Sequence, residues 1–248
     1  MAAALLLLFS CATSQDERKG LIADQLFHDQ DSILSHAKDY SDTIKIKYAK
    51  GLKVDYRKDG IHVTIKNPDP AARSAKPQQI IIKKSSSRFI CTTALQLGNF
   101  EVLGLEDKIV GINSLRHIFS LRMIDQLESG KTAEIGKEGN FDLEAVMAAK
   151  PDYILVSASK YGGFEPLKEC NIPLILHHGY KETSPLGQAE WIKLIGLLTG
   201  ETRRANAVFS DIERKYLTLK QEVERTYSDK KKLPTVISGR QLRDGWYF

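Results

Sequence analysis

Apolar and polar residues alternate between Thr43 and Lys66. Ile44, Ile46 and Tyr48 predict one short strand, Leu52, Val54 and Tyr56 a second, and Ile61, Val63 and Ile65 a third. Arg57-Lys58-Asp59-Gly60 places an Asp-Gly turn between the last two. A loop rich in Pro, Ala and Ser covers 68–77, and Gln79–Ile82 predicts a fourth strand. The spacing implies a small antiparallel β appendage over residues 43–84.

From Arg88 onward short apolar runs alternate with helical spacing. Strands are predicted at Arg88–Thr92, Lys108–Ile112, Tyr153–Ser157 and Pro173–His177. Helices are predicted at Ala94–Leu103, Phe119–Leu127, Asp142–Ala149 and Gly163–Cys170, several of them stopped by Gly or Pro. Strands alternating with helices imply a parallel sheet covered on both faces. A further helix is predicted from about Gly187 to Thr199, closing at Gly200. A longer one follows over Thr202–Tyr227, with a stripe at Ala205, Val208, Phe209, Ile212, Tyr216, Leu219 and Val223. Pro234–Ser238 predicts a new strand.

The N-terminus has another texture. Ala2–Phe9 is apolar throughout, too short to span a bilayer but of the length of a signal-peptide core. It runs into Ser10-Cys11 and then into polar sequence. The Leu8-Phe9-Ser10-Cys11 stretch resembles a bacterial lipoprotein lipobox, which makes Cys11 the candidate lipid anchor. No Lys or Arg stands between Met1 and the apolar run, a departure from an export signal.

Composition narrows the class. The 248 residues are 42% hydrophobic and 27% charged, which is ordinary for a globular chain. The formal charge of +5 is spread out, with no basic stripe interleaved with aromatics, so nucleic acid is not an expected partner. The three cysteines, Cys11, Cys91 and Cys170, form no CxxC pair and no zinc spacing. No nucleophile elbow, zincin or phosphate-loop motif occurs, so no catalytic residue is assigned.

Six segments resemble, in order, the substrate-binding protein family of iron-complex and vitamin B12 ABC importers. They are Leu103–Ile112, Gly136–Glu144, Ala149–Leu155, Asn171–Ile175, Leu194–Glu201 and Gly245–Tyr247. The resemblance covers about Arg88 to Phe248, and the preceding β appendage looks like an extension of one lipoprotein branch. It implies an α/β fold: a Rossmann-like lobe on a parallel sheet with flanking helices, a long lobe-connecting helix and the start of a second α/β lobe. The expected organisation is 1–11 signal and lipobox, 12–42 tether, 43–84 appendage, 85–186 N-terminal lobe, 187–232 connecting helices and 233–248 the start of an incomplete C-terminal lobe. A second lobe needs on the order of 100 residues, so truncation is an expectation as well. The first predicted strand ends Thr92-Thr93-Ala94, without the proline common in the family.

The resemblance implies a non-enzymatic carrier with no cofactor. Its ligand would be a ferric siderophore, haem or cobalamin, and its partners an importer's permease and ATPase and, through Cys11, the membrane. The alternatives are a truncated, non-functional paralogue and a small Rossmann-like enzyme. Cleft residues in such a fold sit at the carboxyl ends of parallel strands. This gives Thr92, Thr93, Ser114, Ser157, Ser159, Lys160 and Tyr161, although Ser and Thr there also cap helices. By resemblance Lys137 and Glu138 join them, with Arg240, Trp246 and Tyr247 from the second lobe. His177-His178 is expected as a partly exposed strand end, since adjacent strand residues face opposite ways. Glu144 matches a family glutamate that docks onto the importer, on a helix whose inward face is expected to be Leu143, Val146 and Met147.

Overall fold

The computed structural model describes residues 30–69, 71, 76–113, 120–137, 139–157, 163–227, 240–242 and 245–247. The chain divides into two units, the first ending at Asp211 and the second beginning at Ile212.

The β appendage has three antiparallel strands in the order β1-β2-β3, at Leu52–Arg57, Gly60–Ile65 and Gln78–Ile82. Arg57 pairs with Gly60, so Lys58-Asp59 forms a two-residue loop. The expected strand at Ile44–Tyr48 does not form. Two carboxylates capture the backbone N–H groups that a strand partner would take. Glu190 accepts from Lys47, Tyr48 and Ala49, and Glu182 accepts from Lys50 and Gly51. Buried N–H groups must be paired, and here charged side chains distant in sequence do it.

The five-stranded parallel sheet has the order β10-β9-β4-β5-β6. Its strands are β4 Phe89–Cys91, β5 Ile109–Ile112, β6 Ala133–Glu134, β9 Tyr153–Val156 and β10 Leu174–Leu176. The sequence missed β6, whose two residues carry no periodic signal, and the small β7–β8 hairpin of Gly136–Lys137 and Asn140–Phe141. β4, β5 and most of β9 are buried, as their continuous apolar runs require. β10 is an edge strand, and Gln78 covers part of that edge. Its side-chain amide donates to Leu174 O at 2.6 Å and accepts from Leu176 N at 2.9 Å, as a neighbouring backbone would.

Helix α1, described over residues 30–35, lies in the segment expected as tether. Gln30 Nε2 donates to the carbonyls of Glu101 and Val102, which pins it to the end of α2, Ala94–Val102. α3, Leu121–Glu128, starts at a Ser120 cap, and α4, Leu143–Ala148, at an Asp142 cap. The expected helix at Gly163–Cys170 is a 3₁₀ stretch over Glu165–Cys170.

The single helix expected up to Thr199 is two: α5, Pro185–Ala189, and α6, Ile192–Thr199. Between them Trp191, Lys193 and Leu194 bond to the third residue before each, which tightens the chain into a corner. Every residue of α6 is buried. Phe89 and Phe100, both fully buried, pack in a tilted pair at 5.1 Å between ring centroids on the α2 side of the sheet. On the other side Ile90, Val110, Ile135, Val146, Ile154, Val156 and Leu167 form one cluster.

The expected long helix is α7, Thr202–Thr226. Its first-unit stripe, Ala205, Val208 and Phe209, is buried. In the second unit Tyr216, Leu219 and Val223 are exposed, and β11, Arg240–Leu242, pairs antiparallel with β12, Gly245–Tyr247. The strand expected at Pro234–Ser238 lies outside the described residues. Among the described residues no helix is long and apolar enough to cross a membrane.

Candidate functional site

The strand order itself locates a site. The chain leaves β4 through α2 to β5 on one side, and it leaves β9 through the 3₁₀ stretch to β10 on the other. β4 and β9 are neighbours, so the connections part at their carboxyl ends and open a crevice. A cavity of about 290 Å³ lies there, lined by Thr92, Thr93 and Leu95 after β4 and Ser157 after β9. Phe141, Phe164 and Tyr180 complete the lining.

The floor is a hydrogen-bonded network centred on the fully buried Gln96. Its Oε1 accepts from the N–H groups of Thr92 and Thr93, at 2.8 and 3.1 Å. Its Nε2 donates to Ser157 Oγ at 3.2 Å, and that hydroxyl donates to His177 O. Thr92 Oγ1 donates to Leu155 O, and Thr93 Oγ1 caps α2 by accepting from Gln96 N. The three hydroxyls expected to bind ligand therefore have intramolecular partners, while Thr92, Thr93 and Ser157 all line the cavity. The walls are apolar. Phe141 and Phe164 pack on the core cluster as well as on the cavity. Phe141 is presented by the β7–β8 hairpin, which requires Gly136 at φ +83, where an added Cβ would collide with Asn140 O.

His177 and His178 correct the expectation of a partly exposed strand end, for both are buried. They leave β10 where the chain turns into Gly179–Lys181 instead of continuing extended, so both rings fall against Trp191, at 4.8 and 6.3 Å between centroids. Asn99 Nδ2 lies 3.2 Å from His177 Nε2, and neither Nδ1 has a hydrogen-bond partner among the described residues. Burial first, then the neighbouring His178, depresses His177 to about 3. Burial, then Lys181, depresses His178 to about 4. Both imidazoles are neutral at ordinary pH. Burial raises the Cys91 thiol above its ordinary range, and Cys170 is raised by the same cause. Among the described residues no cluster of three or more His, Cys, Asp or Glu could hold a metal ion.

Lys137 sits exposed on the hairpin that supplies Phe141, outside the cavity lining. Ser114, Glu138, Ser159, Lys160, Tyr161 and Cys11 lie outside the described residues. Arg240, Trp246 and Tyr247 belong to the hairpin of the second unit, where only the strand backbone is described. Glu144 is exposed on the first turn of α4. Val146 is fully buried, but Met147, expected on the inward face, is 51% exposed and shares a side of the helix with Glu144.

Sequence reasoning missed Leu95, Phe141, Phe164 and Tyr180. Tyr180 was within reach of the strand-end rule, three residues beyond His177. The two phenylalanines carry no local mark, because they come from a hairpin and a 3₁₀ entry that bring them together only in the fold. Gln96 was legible as the third helical residue after a Thr cap.

A crevice at a switch point, with a polar floor and aromatic walls, is where ligands bind in open α/β sheets. Residues 90–247 match the sequence model of the periplasmic binding protein family, and the chain belongs to that family. A comparison with curated proteins gave no match. Among solved structures, the petrobactin-binding protein YclQ from Bacillus subtilis is similar with 16% identity, 67% of this chain, 55% of that chain and a TM-score of 0.48. The iron-uptake substrate-binding protein PiuA from Streptococcus pneumoniae gives 17%, 69%, 54% and 0.44. A periplasmic haem-binding protein from Pseudomonas aeruginosa gives 20%, 60%, 50% and 0.43. The chain spans about half the length of these structures.

Proposed function

We propose that the protein is an extracytoplasmic, lipid-anchored substrate-binding protein that hands an iron complex or cobalamin to an ABC importer, and that it is not an enzyme. The cavity at the β4/β9 switch point, in a chain of this family, carries the reading. Its apolar walls suit the organic frame of a metal chelate, flat in haem and corrin, and the floor hydroxyls suit its polar rim. Thr92, Thr93 and Ser157 would meet that rim. Ser114, Lys137, Glu138, Ser159, Lys160, Tyr161, Arg240, Trp246 and Tyr247 remain proposed ligand contacts by family resemblance alone.

Glu144 is the proposed importer contact and Cys11 the proposed acylation site. A carboxylate on the outside of the lobe gives little stability by itself but fixes register and speeds encounter across an interface. The anchor is tested by growth with a labelled fatty acid. Wild-type chain should carry label and Cys11→Ala should not; unlabelled wild type would refute it. Cargo is tested by titrating ferric siderophores, haem and cobalamin into the purified chain. Saturation by one chelate class supports the reading, and no saturation by any of them refutes it.

A further inference from the structure

A larger cavity, of about 500 Å³, opens beside the appendage. The β1–β2 turn, the end of β3 and the corner between α6 and α7 enclose it, and it shares no residue with the crevice. Four cationic side chains line it, Arg57, Lys58, Lys83 and Lys84, against two anionic ones, Asp42 and Asp59. Both carboxylates are already engaged. Asp42 pairs with Arg203 at 3.6 Å, and Asp59 holds His62 Nε2 at 2.9 Å. Arg57 reaches Asp55 only at 3.9 Å. Lys58, Lys83 and Lys84 are exposed and have no side-chain partner among the described residues. Thr202, which also lines the cavity, opens the 25-residue α7, whose first turn carries partial positive charge.

Surface lysines are commonly solvated singly. Here three lysines with no side-chain partner among the described residues line one concave site from two separate chain segments, and each of its two acids pairs with another group. Cationic side chains outnumber anionic ones four to two in the lining, so the site favours an anion. We propose that this cavity binds a phosphate-bearing anion. Lys83 and Lys84 would approach from the chain just after β3 and Lys58 from the turn, as point charges on phosphate oxygens. The two sources of that chemistry are the headgroup of an anionic lipid and a soluble phosphate. The proposal does not rest on the cargo or anchor reading, because none of these residues lies in the crevice or near Cys11 in sequence.

The test uses the full chain with Cys11→Ala, so that no acyl group contributes. It is sedimented with vesicles of phosphatidylglycerol and phosphatidylcholine in equal parts, and with phosphatidylcholine alone. Pyrophosphate is titrated in a separate arm. The triple variant Lys58→Gln/Lys83→Gln/Lys84→Gln is compared with Lys131→Gln/Lys150→Gln/Lys220→Gln, which removes the same charge elsewhere. The cavity triple should weaken binding by about fivefold per lysine at low salt, and the control triple should bind like wild type. Loss confined to mixed vesicles assigns the site to a lipid headgroup, and loss confined to pyrophosphate assigns it to a soluble phosphate. Absence of binding in both arms, or equal loss in the two triples, overturns the proposal.

Discussion

Glu190→Ala should be among the most damaging single substitutions in the first unit. The carboxylate is fully buried and receives the N–H groups of Lys47 at 3.0 Å, Tyr48 at 2.6 Å and Ala49 at 2.8 Å. It also takes Lys193 Nζ at 2.7 Å, whose side chain is 8% exposed. With the carboxylate gone, Lys193 keeps Lys45 O at 2.7 Å and the Phe209 ring at 4.2 Å, neither of which neutralises its charge. Removing one partner of a buried pair costs about 3–5 kcal/mol. For a chain of this size, each kcal/mol lowers Tm by about 2–4 °C, so the expected fall is about 6–20 °C. The paired variant Glu190→Leu/Lys193→Met removes the orphaned charge and should recover part of the loss, but not the part due to the three N–H groups. Urea denaturation followed by tryptophan emission measures both, because Trp191 adjoins Glu190 and donates to Glu182. Proteolysis near residues 45–51 should accelerate alongside. A loss under about 1 kcal/mol would refute the clamp.

Three further outcomes follow from the same geometry. The folded chain holds His177 and His178 neutral, with pKa values near 3 and 4, while the unfolded chain protonates them below about 6.5. Unfolding therefore takes up protons, and stability should fall by about 3–4 kcal/mol from pH 7.5 to 5. Thermal melts across that range should show it, and a flat profile, or no reduction of the slope in His177→Gln, would contradict it. Gly98 lies within α2 with open space where a Cβ would be, so Gly98→Ala should stabilise by about 0.5–1 kcal/mol; a lowered midpoint would count against that placement. Glu144→Arg should leave cargo affinity unchanged yet lower uptake in reconstituted vesicles more than Glu144→Ala does; normal uptake by the Arg variant would make Glu144 an ordinary surface carboxylate.

Much of the α/β architecture was legible because it is written locally. Tyr153–Val156 and Ile109–Ile112 are apolar runs of strand length, Thr93 precedes its helix as a cap, and Asn171 and Gly200 end their segments in left-handed conformation; Ser120 and Asp142, expected inside helices, are caps instead. Residues 44–48 show where local reading stops. Their alternation is that of a strand, but the N–H groups of Lys47 and Tyr48 go to Glu190, more than 140 residues away, and that of Ile44 goes to the Tyr56 hydroxyl. The break between α5 and α6 and the burial of both histidines depend on the same cluster around Trp191 and were equally invisible. At the site, strand ends pointed to Thr92, Thr93 and Ser157. The aromatic walls arise from tertiary packing and left no periodic trace.

The most direct test of the account is the affinity of the crevice for a metal chelate. Ferric siderophores, haem and cobalamin should be titrated into the full chain and into Phe164→Ala and Tyr180→Ala, with thermal melts run in parallel. One chelate class should saturate at one site per chain. Each variant should weaken it by about tenfold, the loss expected for one aromatic contact of about 1.4 kcal/mol. Binding that is absent for every chelate, or that is undiminished in both variants, would contradict the assignment of this crevice as the cargo site.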